Sequence, residues 1–249
     1  MNPVIALWCH PRSMSTSVER IMRERGDLNC LHEPFMYHYD LNRKHRDMPY
    51  FEPQQDHPVT YEGVRDMIME KAQSSPVFFK DMAYYINSDI IADSKFCKSV
   101  THCFLIRNPA AAIASYYTLD NEVTLPEIGI EAQWEVYSHL IDSGIKPVVI
   151  ESESIRKDPR SAVNSWWKTI DLASDDSAFE WGDESPEDWQ QVKTWHQESM
   201  GSTSIHPWTE EDAQKEKERF TAAAGEAPQL RVYLEHHMPF YERLKNESL

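Results

Sequence analysis

The sequence is short of glycine, of basic residues relative to acidic ones, of paired cysteines and of long apolar runs. Seven glycines in 249 residues leave no G-x-x-x-x-G-K-[ST] loop, whose glycines let the backbone approach phosphates that the lysine then reaches. A nucleotide triphosphatase of that kind is excluded. Twenty-five Lys+Arg against 41 Asp+Glu give a formal charge of −16, which argues against tracking a nucleic-acid backbone, while leaving room for a local basic pocket that takes a small anion. Cys9, Cys30, Cys97 and Cys103 form no C-x-x-C pair and do not resemble a secreted disulfide framework, so they are expected to be reduced and mostly buried. The opening MNPVIALWCH lacks a basic segment, and its apolar run is too short for a signal sequence or a membrane span. A soluble, cytoplasmic protein without nucleic-acid or membrane partners is the expectation. No Gly/Ser linker, repeat or low-complexity block interrupts the chain, and its length suits one domain over 1–249.

Short apolar runs at Val4–Cys9, Leu28–His32, Pro76–Lys80, Val100–Arg107 and Pro147–Glu151 read as strands of a sheet covered on both faces. Helical patterns lie between most of them, at Tyr61–Gln73, Pro109–Leu119, Pro126–Ser143 and Pro159–Leu172. This alternation predicts a three-layer α/β fold with a central parallel sheet over residues 1–172. Beyond Leu172 the patterns are helical (Pro186–Glu198, Glu210–Ala224, Pro228–Lys245) and predict a C-terminal helical cap over 173–249.

The first strand runs through WCHPRSMSTSVERIM (residues 8–22) into an amphipathic stretch, with Arg12 at the junction. Ligands of open parallel sheets bind outside the carboxyl ends of the strands, where a helix N-terminus offers free N–H groups to anions. Ser13, Ser15, Thr16 and Ser17 add hydroxyl donors. Thr16 to Glu19 also fits a capping box, so local spacing allows an anion site or simple capping. A second turn of this kind follows the fourth strand. Arg107 ends the strand, Asn108 suits an N-cap and Pro109 the first helical position. Ser115, two helical turns on, lies on the face of the cap, so Arg107 and Ser115 are able to converge on one phosphate; an ordinary capped helix with an exposed arginine is the other reading.

Pro11-Arg12-Ser13-Met14-Ser15-Thr16, then Arg107-Asn108-Pro109 with Ser115-Tyr116-Tyr117, then Ser154-Ile155-Arg156-Lys157-Asp158-Pro159-Arg160, together resemble the motifs of sulfotransferases that use 3′-phosphoadenosine 5′-phosphosulfate (PAPS). His32-Glu33-Pro34-Phe35 and Phe79-Lys80-Asp81-Met82 are similar to segments of a bacterial branch of small members. The resemblance implies a P-loop-type fold, a first turn (Arg12, Ser13, Met14, Ser15, Thr16, Ser17) that holds the 5′-phosphosulfate, and Arg107 with Ser115 on the 3′-phosphate. Met14 stands where the family has a small glycine, and Ser17 where many members carry an adenine-stacking tryptophan.

Sulfonyl transfer moves charge from an attacking oxygen to a leaving phosphate, so positioning and electrostatics should dominate without a metal. Arg12, permanently charged, suits neutralisation of the leaving group. Glu33 is the leading candidate base for a small-molecule hydroxyl or amine acceptor and His32 the second; each also reads as an ordinary packed or surface group. The resemblance places Lys80 near the transferred sulfonyl. Asn42 to Arg46 offers positive charge toward an acceptor or a solvated face. Trp166, Trp167, Trp181, Trp189, Trp195 and Trp208 are expected mainly in the core, with one available to adenine. Ser199 to Ser204 reads as a loop over the 3′-phosphate or an interhelical connection. Adjacent His236 and His237 point to different sides of a helix, which argues against a shared metal. The rival classes are a non-catalytic nucleotide-binding protein on the same fold and a P-loop small-molecule kinase.

Overall fold

The computed structural model describes the whole chain except residues 45–49, 183, 185, 197–202 and 206, and except the side chains of Lys193 and His196. Five strands, β1 (Val4–Cys9), β2 (Asn29–His32), β3 (Val77–Met82), β4 (Thr101–Ile106) and β5 (Val148–Glu151), form one parallel sheet in the order β2-β3-β1-β4-β5. All six residues of β1 and of β3 are buried whichever way they point, so helices cover both faces of the sheet. The predicted α/β architecture is what forms. The chain leaves β1 toward β2 and β3 on one side and later crosses to β4 and β5 on the other, which opens a crevice at the carboxyl end of β1.

Local chemistry places the helices. After α1 (Ser15–Glu24), Thr60 caps α2 (Tyr61–Ser74) by accepting from the Gly63 N–H at 3.1 Å. Two short helices, α3 (Asn87–Ala92) and α4 (Ser94–Ser99), precede β4. Asn108 caps α5 (Pro109–Leu119) through the Ala110 N–H at 3.0 Å, with proline at its first position. The predicted Pro126–Ser143 helix divides into a 3₁₀ turn and α6 (Ile130–Asp142), because Gly129 adopts a left-handed φ of 81° between them. Then come α7 (Ser152–Lys157) and α8 (Pro159–Thr169), the latter capped by Asp158.

Past α8, a 3₁₀ segment (Glu187–His196) precedes α9 (Glu210–Glu226), which packs on α5, and α10 (Gln229–Lys245), which packs on α5, α6, β4 and β5. A Thr209–Asp212 capping box starts α9. The tail is not wholly helical: Ser248 forms one parallel bridge with Val149 on the free edge of β5. No helix among the described residues is long and apolar enough to cross a membrane.

The centre of the sheet is tied by polar side chains. The Trp8 indole donates to His102 Nδ1 at 2.9 Å, and His102 Nε2–H donates to the Cys97 carbonyl at 2.9 Å. The Gln133 amide on α6 donates to the Trp8 and Leu105 carbonyls, at 3.0 Å each. This spans β1 and β4 where their ladder ends at Trp8 and Phe104. Gly129 is needed to bring α6 into that position, since a Cβ there would meet Tyr84 Cδ1 at 3.0 Å and His10 Cβ at 3.3 Å. Gly129→Ala should therefore lower stability by at least the roughly 1–2 kcal/mol of a left-handed alanine, read as a lower denaturant midpoint with unchanged slope; an unchanged midpoint would contradict this reading.

Candidate active site

The carboxyl ends of the five strands meet along one edge, and the charged residues cluster there. The turn after β1 takes a left-handed backbone at Arg12 (φ 61°) and Met14 (φ 71°). Met14 itself is the N-cap of α1 and makes no side-chain cap. The capping box that the spacing of Thr16 and Glu19 allows therefore does not form: the N-cap lies two residues earlier, at Met14, and the Glu19 carboxylate turns inward. Met14 holds the conformation for which glycine is the usual choice, at a steric cost of about 1–2 kcal/mol. Ser13, Ser15 and Thr16 are buried and Ser17 half-buried around the open N-terminus of α1, where the first N–H groups lack helical acceptors.

The two turns are joined by His10. The Arg107 N–H donates to His10 Nε2 at 3.0 Å, so Nδ1 carries the proton and donates to the Pro11 carbonyl at 3.0 Å. The Arg107 guanidinium donates to the Arg12 carbonyl at 2.8 Å and to Glu216 on α9 at 2.5 Å. Ser115 meets Arg12, whose Nε donates to its hydroxyl at 2.8 Å, and the same guanidinium donates to the Trp195 carbonyl at 2.9 Å. Arg12 thus stands between Ser115 and Arg107, which are linked through it and not to each other. Glu153 on α7 accepts from the Asn108 N–H at 2.9 Å.

Beside this, β2 and β3 carry a buried charged cluster. Lys80, fully buried and in register with Leu7 and His32, donates to Glu33, whose other oxygen accepts from the Tyr85 hydroxyl at 3.4 Å. Burial alone would pull the Lys80 pKa down; the Glu33 carboxylate, with Glu19 behind it, more than reverses this and holds it above the usual lysine value. Glu33 takes a left-handed φ of 43° directly after β2. His32 Nδ1–H donates to Glu19 at 2.6 Å and its Nε2 stands 3.8 Å from Glu33. Glu19 also accepts from Arg23 at 2.7 Å and from the Trp189 indole at 2.9 Å. Asp81 faces the Phe35 and Met82 N–H groups at 2.7 and 2.9 Å, and burial, reinforced by Glu33, raises its pKa well above the carboxylate range.

Sequence reasoning gave three participants another role and did not name a fourth. Glu19 looked like a cap residue; Trp189 and the Trp195 carbonyl come from the late 3₁₀ segment; Glu216 comes from a helix with little apolar pattern. No local signal marks any of them, because each acts only once distant segments pack. Arg43 is partly buried and paired with Asp89 at 2.5 Å, while His45 and Arg46 lie outside the described residues. Of the proposed late loop, only Thr203 and Ser204 are described. Among the described residues no group of three or more His, Cys, Asp and Glu could hold a metal.

The sequence family described as sulfotransferase domain matches residues 3–248. A sulfotransferase domain from the curacin biosynthetic pathway superposes with a TM-score of 0.52 at 12% identity, covering 91% of this chain and 97% of its own. Two Arabidopsis thaliana proteins, branched-chain-amino-acid aminotransferase-like proteins 2 and 1, are 24% and 25% identical over 81% of this chain. The chain spans 36% of the length of each.

Four buried histidines give the fold a pH signature. Burial lowers the pKa of His10 to about 3 and those of His102 and His237 to about 4, and that of His32 well below its ordinary value. Unfolded histidine titrates near 6.5, so between that pH and the folded values the unfolded chain binds more protons, and stability is lost as pH falls. Asp81 and Asp188, both raised by burial, act oppositely, since their contribution is present at low pH and lost as pH rises. The histidines outnumber them. Denaturant midpoints at pH 7, 6, 5 and 4 should therefore fall with pH, by about 1.4 kcal/mol per pH unit for each net proton taken up on unfolding. A flat or rising profile would contradict neutral, buried histidines.

Proposed function

This chain belongs to the sulfotransferase domain family and is a transferase; from that premise we propose that it moves a sulfonyl group from PAPS to a hydroxyl or amine of a small-molecule acceptor. The observation that carries the choice of donor is the pair of adjoining turns at the switch point, each opening a helix N-terminus and each supplying an arginine, with Arg107 bonded to the Arg12 carbonyl. Two anionic groups on one nucleotide suit two such turns. The family assignment does not favour the kinase or the non-catalytic reading. The four cysteines are unpaired, in keeping with a cytoplasmic setting for the reaction.

In this reading the 5′-phosphosulfate lies against Ser13, Met14, Ser15, Thr16 and Ser17 at the start of α1. Arg12 neutralises the bridging phosphate, and Arg107 takes the 3′-phosphate. Ser115 belongs to the site through Arg12, which it orients. The acceptor oxygen forms a bond to sulfur while the sulfur–oxygen bond to the 5′-phosphate breaks. The acceptor proton passes to Glu33, and adenosine 3′,5′-bisphosphate leaves with the electron pair. Lys80 fixes the Glu33 carboxylate and brings positive charge toward the sulfonyl oxygens. His32, neutral and held by Glu19, is the second candidate for the proton.

Glu33→Gln should leave PAPS affinity nearly intact and lower turnover with an alcohol acceptor found by screening by roughly 10²–10⁴. Because the change leaves Lys80 without its counter-charge, a stability loss of about 3–5 kcal/mol is also expected; PAPS titration of the same preparation separates loss of fold from loss of the base. Arg12→Ala should harm both binding and turnover. Full turnover by Glu33→Gln would remove it as the base and make His32→Ala the deciding variant.

A further inference from the structure

Arg107 does not hold Glu216 alone. Arg156, on α7, donates through Nη1 to the same Glu216 oxygen at 2.7 Å. Two guanidinium groups, one from the turn after β4 and one from α7, both largely buried, thus close on one carboxylate oxygen. Arg107 Nε is buried with no hydrogen-bond partner among the described residues. The same holds for the Trp208 indole N–H, whose ring lies under the Arg156 guanidinium at 5.7 Å. Buried donors left unpaired are costly, and arginine forks are built for oxyanions that take two or more bonds. A carboxylate brings one charge and two oxygens, whereas a phosphate monoester brings close to two charges and three oxygens.

We propose that Arg156 joins Arg107 as a specificity-determining residue for the 3′-phosphate of the donor, and that Glu216 fills this place in the nucleotide-free protein and is displaced when the donor binds. The proposal rests on the PAPS reading above and deepens it. Glu216 sits within the first two turns of α9, a helix anchored on α5, so its withdrawal requires a new side-chain rotamer or a shift of the start of that helix, and not a rearrangement of the sheet. The internal carboxylate would also set a threshold. A nucleotide lacking the 3′-phosphate gains nothing by displacing it, so such nucleotides are rejected at this turn while PAPS and its bisphosphate product are admitted.

Calorimetric titration of the full chain with adenosine 3′,5′-bisphosphate and with adenosine 5′-monophosphate tests this. Arg156→Ala should weaken the bisphosphate by roughly 10- to 100-fold, Arg156→Lys by less, and both should leave the monophosphate unchanged, which also shows that the variants are folded. Glu216→Gln, which keeps the shape and removes the charge, should tighten the bisphosphate several-fold and again spare the monophosphate. If Arg107→Ala abolishes the preference for the bisphosphate while Arg156→Ala and Glu216→Gln leave it unchanged, the inference is overturned and the donor reading stands. If the unaltered protein binds the bisphosphate no more tightly than the monophosphate, the donor reading falls and the inference with it.

Discussion

A lysine with no exposure to solvent sets the terms for this end of the molecule. Lys80 lies on β3, between β1 and β2, and an ammonium so placed needs an opposite charge in contact with it. Glu33 supplies it, and reaches it by taking a left-handed backbone in the first residue after β2. Glu19 stands behind that pair and gathers His32, Arg23 and the Trp189 indole. Through Trp189, and through the Gln191 amide on the His32 carbonyl at 3.3 Å, the late 3₁₀ segment is drawn over the strand ends. One buried charge thus links two strands, the first helix and a segment more than 100 residues downstream.

The same economy governs the side proposed to bind the donor. His10 has no charge to offer, and that is its use: as a neutral ring it accepts from one turn and donates to the other, so Arg12 and Arg107 are held at a fixed spacing without adding to their mutual repulsion. The left-handed residues at Arg12 and Met14 fit this picture. Strain at a site persists where surrounding contacts over-determine it, and here Ser115, the Trp195 carbonyl and Arg107 all fix Arg12 or its backbone. Rigid donors aimed at the place where negative charge accumulates are what a transfer reaction with an anionic leaving group requires.

Much of this was legible in the chain, for identifiable reasons. β1 matched its predicted bounds at both ends because a fully buried parallel strand is a plain apolar run, and α5 did so because Asn108 and Pro109 state its start. The choice between an anion site and a capping box at Thr16 and Glu19 could not be made from spacing, because tertiary contacts override that rule: a carboxylate beside His32 and Trp189 gains more there than at a solvent-facing cap. The pairing of Lys80 with Glu33 could not be read, since it depends on β3 entering the sheet between β2 and β1, a topological fact with no local trace. Glu216 was hidden for a similar reason, in a helix whose charged sequence points to solvent unless the arginines opposite are known.

A crystal structure of the chain with adenosine 3′,5′-bisphosphate tests most directly whether the adjoining turns after β1 and β4 form the donor site. The 5′-phosphate is expected on the N–H groups that open α1, with Arg12 against it, and the 3′-phosphate on Arg107 in place of Glu216. A bisphosphate bound elsewhere, with Arg12 still on Ser115 and Arg107 still on Glu216, would contradict it.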